Sequence, residues 1–252
     1  MARWIAGLDG CRGAWAGVLL DLDDPGRHRA ARFARVEDLM DGPEAPGIVG
    51  IDVPIGLPER TTGGGRSADQ AARRLLGAGR SSVFPVPPRA AVEAPDYASA
   101  KALARTLSDP PRAFSIQCFN ILGYVRAVDR LLRDRPALRA RLHEVHPEVA
   151  FHRLNGDRRP RAGKAVPAGL EERRALLIRA GLPPALVGSD PPEGVGRADH
   201  LDAMAALVVA REIAAGRARP LPDPPDRDAY GLPVVIWAPG DRWVRDDACG
   251  AG

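Results

Sequence analysis

A chain of 252 residues, 45% hydrophobic and 27% charged, has ordinary globular composition, which excludes a disordered body and leaves room for one large domain or two small ones. Its net charge of +4 is compatible with a nucleic-acid partner, but all but two of the 36 basic residues are arginine, and with 27 Gly and 25 Pro that excess reads first as the codon bias of a GC-rich genome. The longest strictly apolar run, Ala203–Ala210, is too short for a membrane span, and Asp9 interrupts any leader-like apolar core, so no membrane partner and a cytoplasmic location are expected.

Trp4–Leu8 and Ala14–Leu20 are apolar, strand-like runs on either side of the glycine-rich Gly10–Gly13. The Asp-Pro-Gly turn at Asp24–Gly26 then leads to a third strand over Arg29–Ala34. Together these predict a meander of three adjacent strands. Val36–Met40 predicts a short helical turn. Gly47–Val53 predicts a fourth strand, apolar on both faces until Asp52, as a central, partly parallel strand is. Apolar residues recur with helical period over Ser67–Ala78 and Ser115–Arg133. Arg141–His146 predicts a fifth strand, and Pro147 behind it suits a helix start. Leu170–Ala180 predicts a helix stopped by Gly181, Pro183 and Pro184, and Ala198–Ala215 another that ends at Gly216. Arg217–Asp228 is proline-rich and reads as a loop, Leu232–Trp237 as a last strand, and the residues after Asp241 as a loose tail. This order predicts an α/β fold: a mixed five-stranded sheet with helices on both faces, the strand ending at Asp52 lying parallel to and beside the strand that holds Asp9.

The residues that could carry chemistry are mostly carboxylates. Asp9 closes the first strand, Asp52 the fourth, Glu144 sits in the fifth, and Asp199 and Asp202 lie one turn apart at the start of the last helix. Acids at the ends of neighbouring strands, facing acids on a helix, make an oxygen-rich pocket of the kind that hard divalent cations prefer. Each acid also has a plainer reading. Asp9 before Gly10 suits a turn, Asp52 suits a loop cap, and Asp199 with Asp202 suits an N-cap and N3 pair. The small apolar face Ala203, Ala206, Val209, Ala210 argues that the helix presses on the sheet and carries its acids inward. Ser81–Arg89 reads either as a proline-stiffened loop touching substrate phosphates through Ser82 and Arg89, or as a capped bend. Strand alternation puts Glu144 and His146 on one face and His143 on the other, so the histidines there make no ready metal site. Cys11, Cys118 and Cys249 are odd in number and widely spaced, against a disulfide framework or a cysteine zinc site.

Five segments, Gly7–Trp15, Ile51–Pro58, Ser81–Arg89, Glu144–Phe151 and Asp199–Ala203, resemble in their order the motifs of the bacterial and archaeal family called domain of unknown function 429. The resemblance runs over about Met1 to Gly240 and implies a single RNase H-like domain with a helical cap inserted at about 61–134. It implies a nuclease that hydrolyses phosphodiesters with Mg²⁺ or Mn²⁺ held by Asp9, Asp52 and Asp202, with Asp199 and Glu144 as further catalytic acids. Arg12, Ser82, Arg89 and Lys164 are then the substrate-binding candidates, and nucleic acid the partner. Asp199-x-x-Asp202-Ala also resembles the terminal helix of RuvC-type resolvases, which are dimers, so a homodimer is an open expectation. Two other readings remain: a non-catalytic nucleic-acid- or protein-binding module on the same fold, and an actin-like nucleotide phosphohydrolase or kinase. The latter would need further glycine-rich phosphate loops where Asp52 runs into Pro54 and Pro58.

Overall fold

A computed structural model describes residues 3–243. Four strands open the chain: β1 (Trp4–Cys11), β2 (Ala14–Asp21), β3 (His28–Phe33) and β4 (Ile48–Ile51). The first three form the expected antiparallel meander, and β4 lies parallel to β1 with Gly7 opposite Gly50 and Leu8 opposite Ile51. With the short strand Leu142–Glu144 the mixed sheet has five strands, in the order β3, β2, β1, β4, Leu142–Glu144. β1 runs three residues further than its apolar run predicts. Asp9 pairs with Ala16 inside the ladder, so the turn reading of Asp9 does not hold. The turn itself is Arg12–Gly13, with positive φ at both residues (39° and 76°), the geometry that matches strand twist in a two-residue hairpin.

The chain divides into two compact units. The first holds the residues up to Asp52, Val145–Arg219, and those from Trp237 on. Its centre is the helix Arg197–Ala214, which is buried through about three turns of consecutive residues, His200 to Ala210, and packs on β1, β2 and β4. The facing side of the sheet offers Ile5, Ala14, Ala16, Val18 and Leu20 to the same core. Helices Pro147–Leu154 and Pro167–Arg179 pack on that helix and add Phe151, Leu154, Leu176 and Leu177.

The second unit is Val53–Glu144 with Pro220–Ile236. It is wider than the insertion expected at 61–134, because the segment after β4 leaves the sheet immediately and a distant stretch of chain joins it. Its longest helix, Ile116–Asp134, is capped by Ser115, whose side chain accepts the Cys118 N–H, and buries Leu122, Val125, Val128 and Leu132 at helical spacing. The helix Ser67–Leu76 stops two residues short of its expected end, and a tighter helical turn over Gly77–Ser82 takes over. The proline-rich stretch expected as a loop is instead a strand, Arg219–Arg227, paired with Pro233–Ala238. A two-stranded ribbon is all edge, and an edge strand tolerates the missing N–H groups of Pro220, Pro222, Pro224 and Pro225. Asp241–Trp243 forms a short helical turn, and the rest of the expected tail, 244–252, lies outside the described residues, as does Cys249. Cys11 and Cys118 are free thiols. Among the described residues no helix is long and apolar enough to cross a membrane.

Candidate active site

The site lies within the first unit and begins with two residues that have no side chain. A methyl group on Gly7 would overlap the Ala203 carbonyl oxygen and the Leu207 nitrogen of the long helix, and one on Gly50 would overlap the Ala206 carbonyl. Glycine at both positions lets helix backbone rest on sheet backbone. Side chains in a strand alternate, so the residue two places on from each glycine faces the same helix. Those residues are Asp9 and Asp52. The ladder continues past β4 through the Asp52 N–H, which donates to the Leu8 carbonyl, and the Asp9 and Asp52 carboxyl groups are hydrogen-bonded to each other.

The helix supplies the third acid. Its N-cap is Gly196, so Asp199 stands at N3 and Asp202 a turn deeper, 2% exposed. That removes the capping reading of Asp202. Asp199 makes no capping hydrogen bond and is half-exposed, while its charge still reaches Asp9 and Cys11.

Crowded acids hold their protons. Burial, then the neighbouring Asp52, Asp202 and Asp199 charges, keep Asp9 well above the ordinary carboxylate range. Desolvation pushes Asp52 up to about 7, against the pull of Lys164 and the hydrogen bond with Asp9. Burial likewise takes Asp202 to about 6, again opposed by Lys164. Lys164 Nζ lies 2.7 Å from Asp202 Oδ2. Partial burial disfavours its ammonium, but Asp202, Asp9 and Asp52 together hold its pKa above the ordinary lysine value. Glu148 adds negative charge that raises both Asp52 and Asp202, and is itself held by Arg173 at 2.6 Å. Glu148 is the member of the cluster that sequence reasoning leaves without a role. The signal for it was its place one residue after Pro147, in the first turn of a helix that follows a sheet strand.

Other candidates are committed elsewhere. Both Glu144 oxygens are taken by Arg66, at 2.6 and 2.8 Å, and Oε2 also accepts the Ile55 N–H. Glu144 is thus a buried structural anion and not a free catalytic acid. Arg89 is buried and spends its guanidinium on Asp129 and Asp228, each at 2.5 Å, and on Glu59, so it is scaffold and not a phosphate contact. Ser82 donates to the Gly79 carbonyl within its own turn, the capped-bend reading of that loop. Arg12 is exposed at the tip of the β1–β2 hairpin, three residues beyond Asp9.

The donor chemistry of Asp9, Asp52 and Asp202 suits a hard divalent cation. All three offer carboxylate oxygens, they repel one another, and Asp202 Oδ1 is buried with no hydrogen-bond partner. With Lys164 set against Asp202, no three His, Cys, Asp or Glu side chains among the described residues close around one point to hold a metal ion.

A family model described as a protein of unknown function, DUF429, matches residues 7–227. No curated protein and no solved structure matches the chain. The matched span takes in β1 from Gly7 on, the Asp52 strand end, the Lys164 loop and the helix of Asp199 and Asp202, and the chain belongs to the DUF429 family.

Proposed function

We propose that this protein is a divalent-metal-dependent nuclease of RNase H-like fold that hydrolyses phosphodiester bonds in nucleic acid. The observation that carries the reading is the meeting of Asp9, Asp52 and Asp202 from two parallel strands and one helix, where burial above all, with neighbouring negative charge behind it, raises their proton affinity. The strand that ends at Asp52 lies parallel to and beside the strand that holds Asp9, which the reading needs. Asp9, Asp52 and Asp202 would hold Mg²⁺ or Mn²⁺, with Asp199 and Glu148 outside them. When bound, the ion lowers the pKa of water and screens charge building on the phosphoryl oxygens. The chain's own part is to gather carboxylates at one place, give up the protons they hold, and offer Arg12 and Lys164 to phosphate. In the balanced reaction, water oxygen joins phosphorus, one P–O ester bond breaks, and the departing oxygen leaves as a hydroxyl with a proton from that water.

A second reading is favoured by one contact. The Lys164–Asp202 pair gives the acids a cation of their own, as a non-catalytic nucleic-acid-binding module would have. End-labelled single- and double-stranded DNA and RNA and a four-way junction, incubated with Mn²⁺ or Mg²⁺ and the parent or Asp9→Asn, separate the two. Metal-dependent cleavage that Asp9→Asn loses supports the nuclease. Binding of the same probes without cleavage supports the module.

A further inference from the structure

We infer that Lys164 is the built-in counter-ion of the acid cluster, and that a divalent cation enters by displacing its ammonium from Asp202; this rests on the reading of the cluster as a metal site. The two partners differ sharply in exposure: the Lys164 side chain is 50% exposed and that of Asp202 2%. The lysine therefore reaches in from solvent, its stem outside and its head on a buried oxygen. A cation approaching Asp202 Oδ2 from that side meets Nζ first.

The backbone that delivers Lys164 is held in place. Glu172 accepts the Arg161 and Ala162 N–H groups at 2.8–3.2 Å, and Arg173 donates to the Ala162 and Gly169 carbonyls at 3.1 and 3.2 Å. A methyl group on Gly169 would overlap the Gly163 carbonyl, so the helix start is packed directly on the residue before Lys164. With the backbone fixed on both sides, the part free to move is the four-carbon stem. Arg173 also holds Glu148, so one guanidinium ties the lysine's loop to an acid of the cluster. Lysine suits this task better than arginine: a compact, rotatable point charge leaves a carboxylate more readily than a bidentate fork does. In a chain whose basic residues are otherwise arginine apart from Lys101, its use here is selective.

Two measurements test the displacement. Mn²⁺ is titrated calorimetrically into the metal-free parent, Lys164→Met and Lys164→Arg. The expected result is at least about tenfold tighter Mn²⁺ binding by Lys164→Met, with Lys164→Arg no tighter than the parent, since removing a charge that competes at contact distance favours the ion. Equal or weaker binding by Lys164→Met overturns the inference and leaves the metal site standing. Absence of Mn²⁺ binding in both parent and Lys164→Met overturns both. Tighter Mn²⁺ binding by Lys164→Met, with no metal-dependent cleavage of nucleic acid by the parent, upholds the displacement and removes the nuclease. The second measurement uses the rarity of lysine. Side-chain ¹⁵N labelling yields two ammonium signals, and Lys101, set 5.8 Å from the Tyr97 ring, is the internal control. Saturating Mg²⁺ is expected to shift the Lys164 signal and speed its hydrogen exchange, with Lys101 unmoved. A Lys164 signal unchanged while Mg²⁺ binds overturns the inference.

Discussion

Each unit of this molecule encloses acids, and two sets of them, Asp69 with Glu144 in the second unit and Asp9, Asp52 and Asp202 in the first, are treated in opposite ways. In the second unit, Arg66 is 4% exposed and bonds Asp69 at 2.7 Å and Glu144 at 2.6 Å, while the Ile55 N–H adds a further bond to Glu144 and the Arg66 and Val86 N–H groups serve the second oxygen of Asp69. Arg66 is held above the ordinary arginine value by those acids although burial opposes it. In the first unit, three acids share one half-exposed lysine, and Asp202 Oδ1 has no partner. Burial is common to both. What separates the two sets is whether their oxygens are already spoken for.

The largest expected effect on that contrast is catalytic. On the proposed nuclease reading, Asp9→Asn and Asp202→Asn should lower metal-dependent cleavage by about a thousandfold or more, since each would remove a ligand of the ion that bears the transition-state charge. The same variants should melt no lower than the parent in EDTA, because they relieve repulsion. Loss of stability in EDTA would place Asp202 among the structural acids.

Breaking the paired set should have the reverse character. Arg66→Met leaves Asp69 and Glu144 buried without their cation, and should cost about 3–5 kcal/mol in urea unfolding. A cost below about 1 kcal/mol would mean the two sets do not differ in kind.

Mn²⁺ at a hundredfold excess over its dissociation constant should stabilise the parent by about 2.7 kcal/mol, and Asp202→Asn by much less. Unchanged melting of the parent at millimolar Mn²⁺ would sink the metal reading of the first unit.

The smallest effect is on pH dependence. Asp52 at about 7 and Asp202 at about 6 stand above their usual value of 3.8, so the folded state holds protons that the unfolded chain releases. Their contribution to stability is full below about pH 4 and is lost as pH rises through 6 and 7. Relative to Asp52→Asn, the parent in EDTA should lose up to about 1.4 kcal/mol per pH unit for each extra proton held. Parallel stability curves for the two proteins between pH 4 and 8 would contradict the crowding of these acids.

Much of the first unit was legible from sequence because its signals are local. Short apolar runs mark the meander, the doubly buried Ile48–Ile51 marks a central strand, and the alanine face of the last helix marks where it presses. Asp9, Asp52 and Asp202 followed from those placements. The misassigned residues depend on partners far along the chain. Glu144 looked like a strand acid until Arg66, 78 residues earlier, claimed both its oxygens. Arg89 looked like a free cation in a polar loop, yet one of its two close partners is Asp228, 139 residues on. Propensity cannot report such pairings, and the proline-rich strand Arg219–Arg227 shows the same limit for backbone, since its partner and not its composition makes it a strand.

Gly7-Leu8-Asp9 and Gly50-Ile51-Asp52 are one pattern, glycine, branched aliphatic, aspartate, written twice on neighbouring strands, in register. Leu8 and Ile51 face the far side, while each glycine brings the helix down and each aspartate meets what the helix carries. The glycines therefore act as a gauge block: their missing carbon sets the gap across which Asp202 reaches the other two acids. Widening that gap by a methyl group at either strand would leave every carboxylate in the chain and still pull the three apart, and a misplacement of about 1 Å is enough to cost a reaction about a hundredfold. Two positions that bear no functional group thus hold the tolerance of the whole site, and on the proposed reading alanine at Gly7 or Gly50 would weaken it without touching an acid.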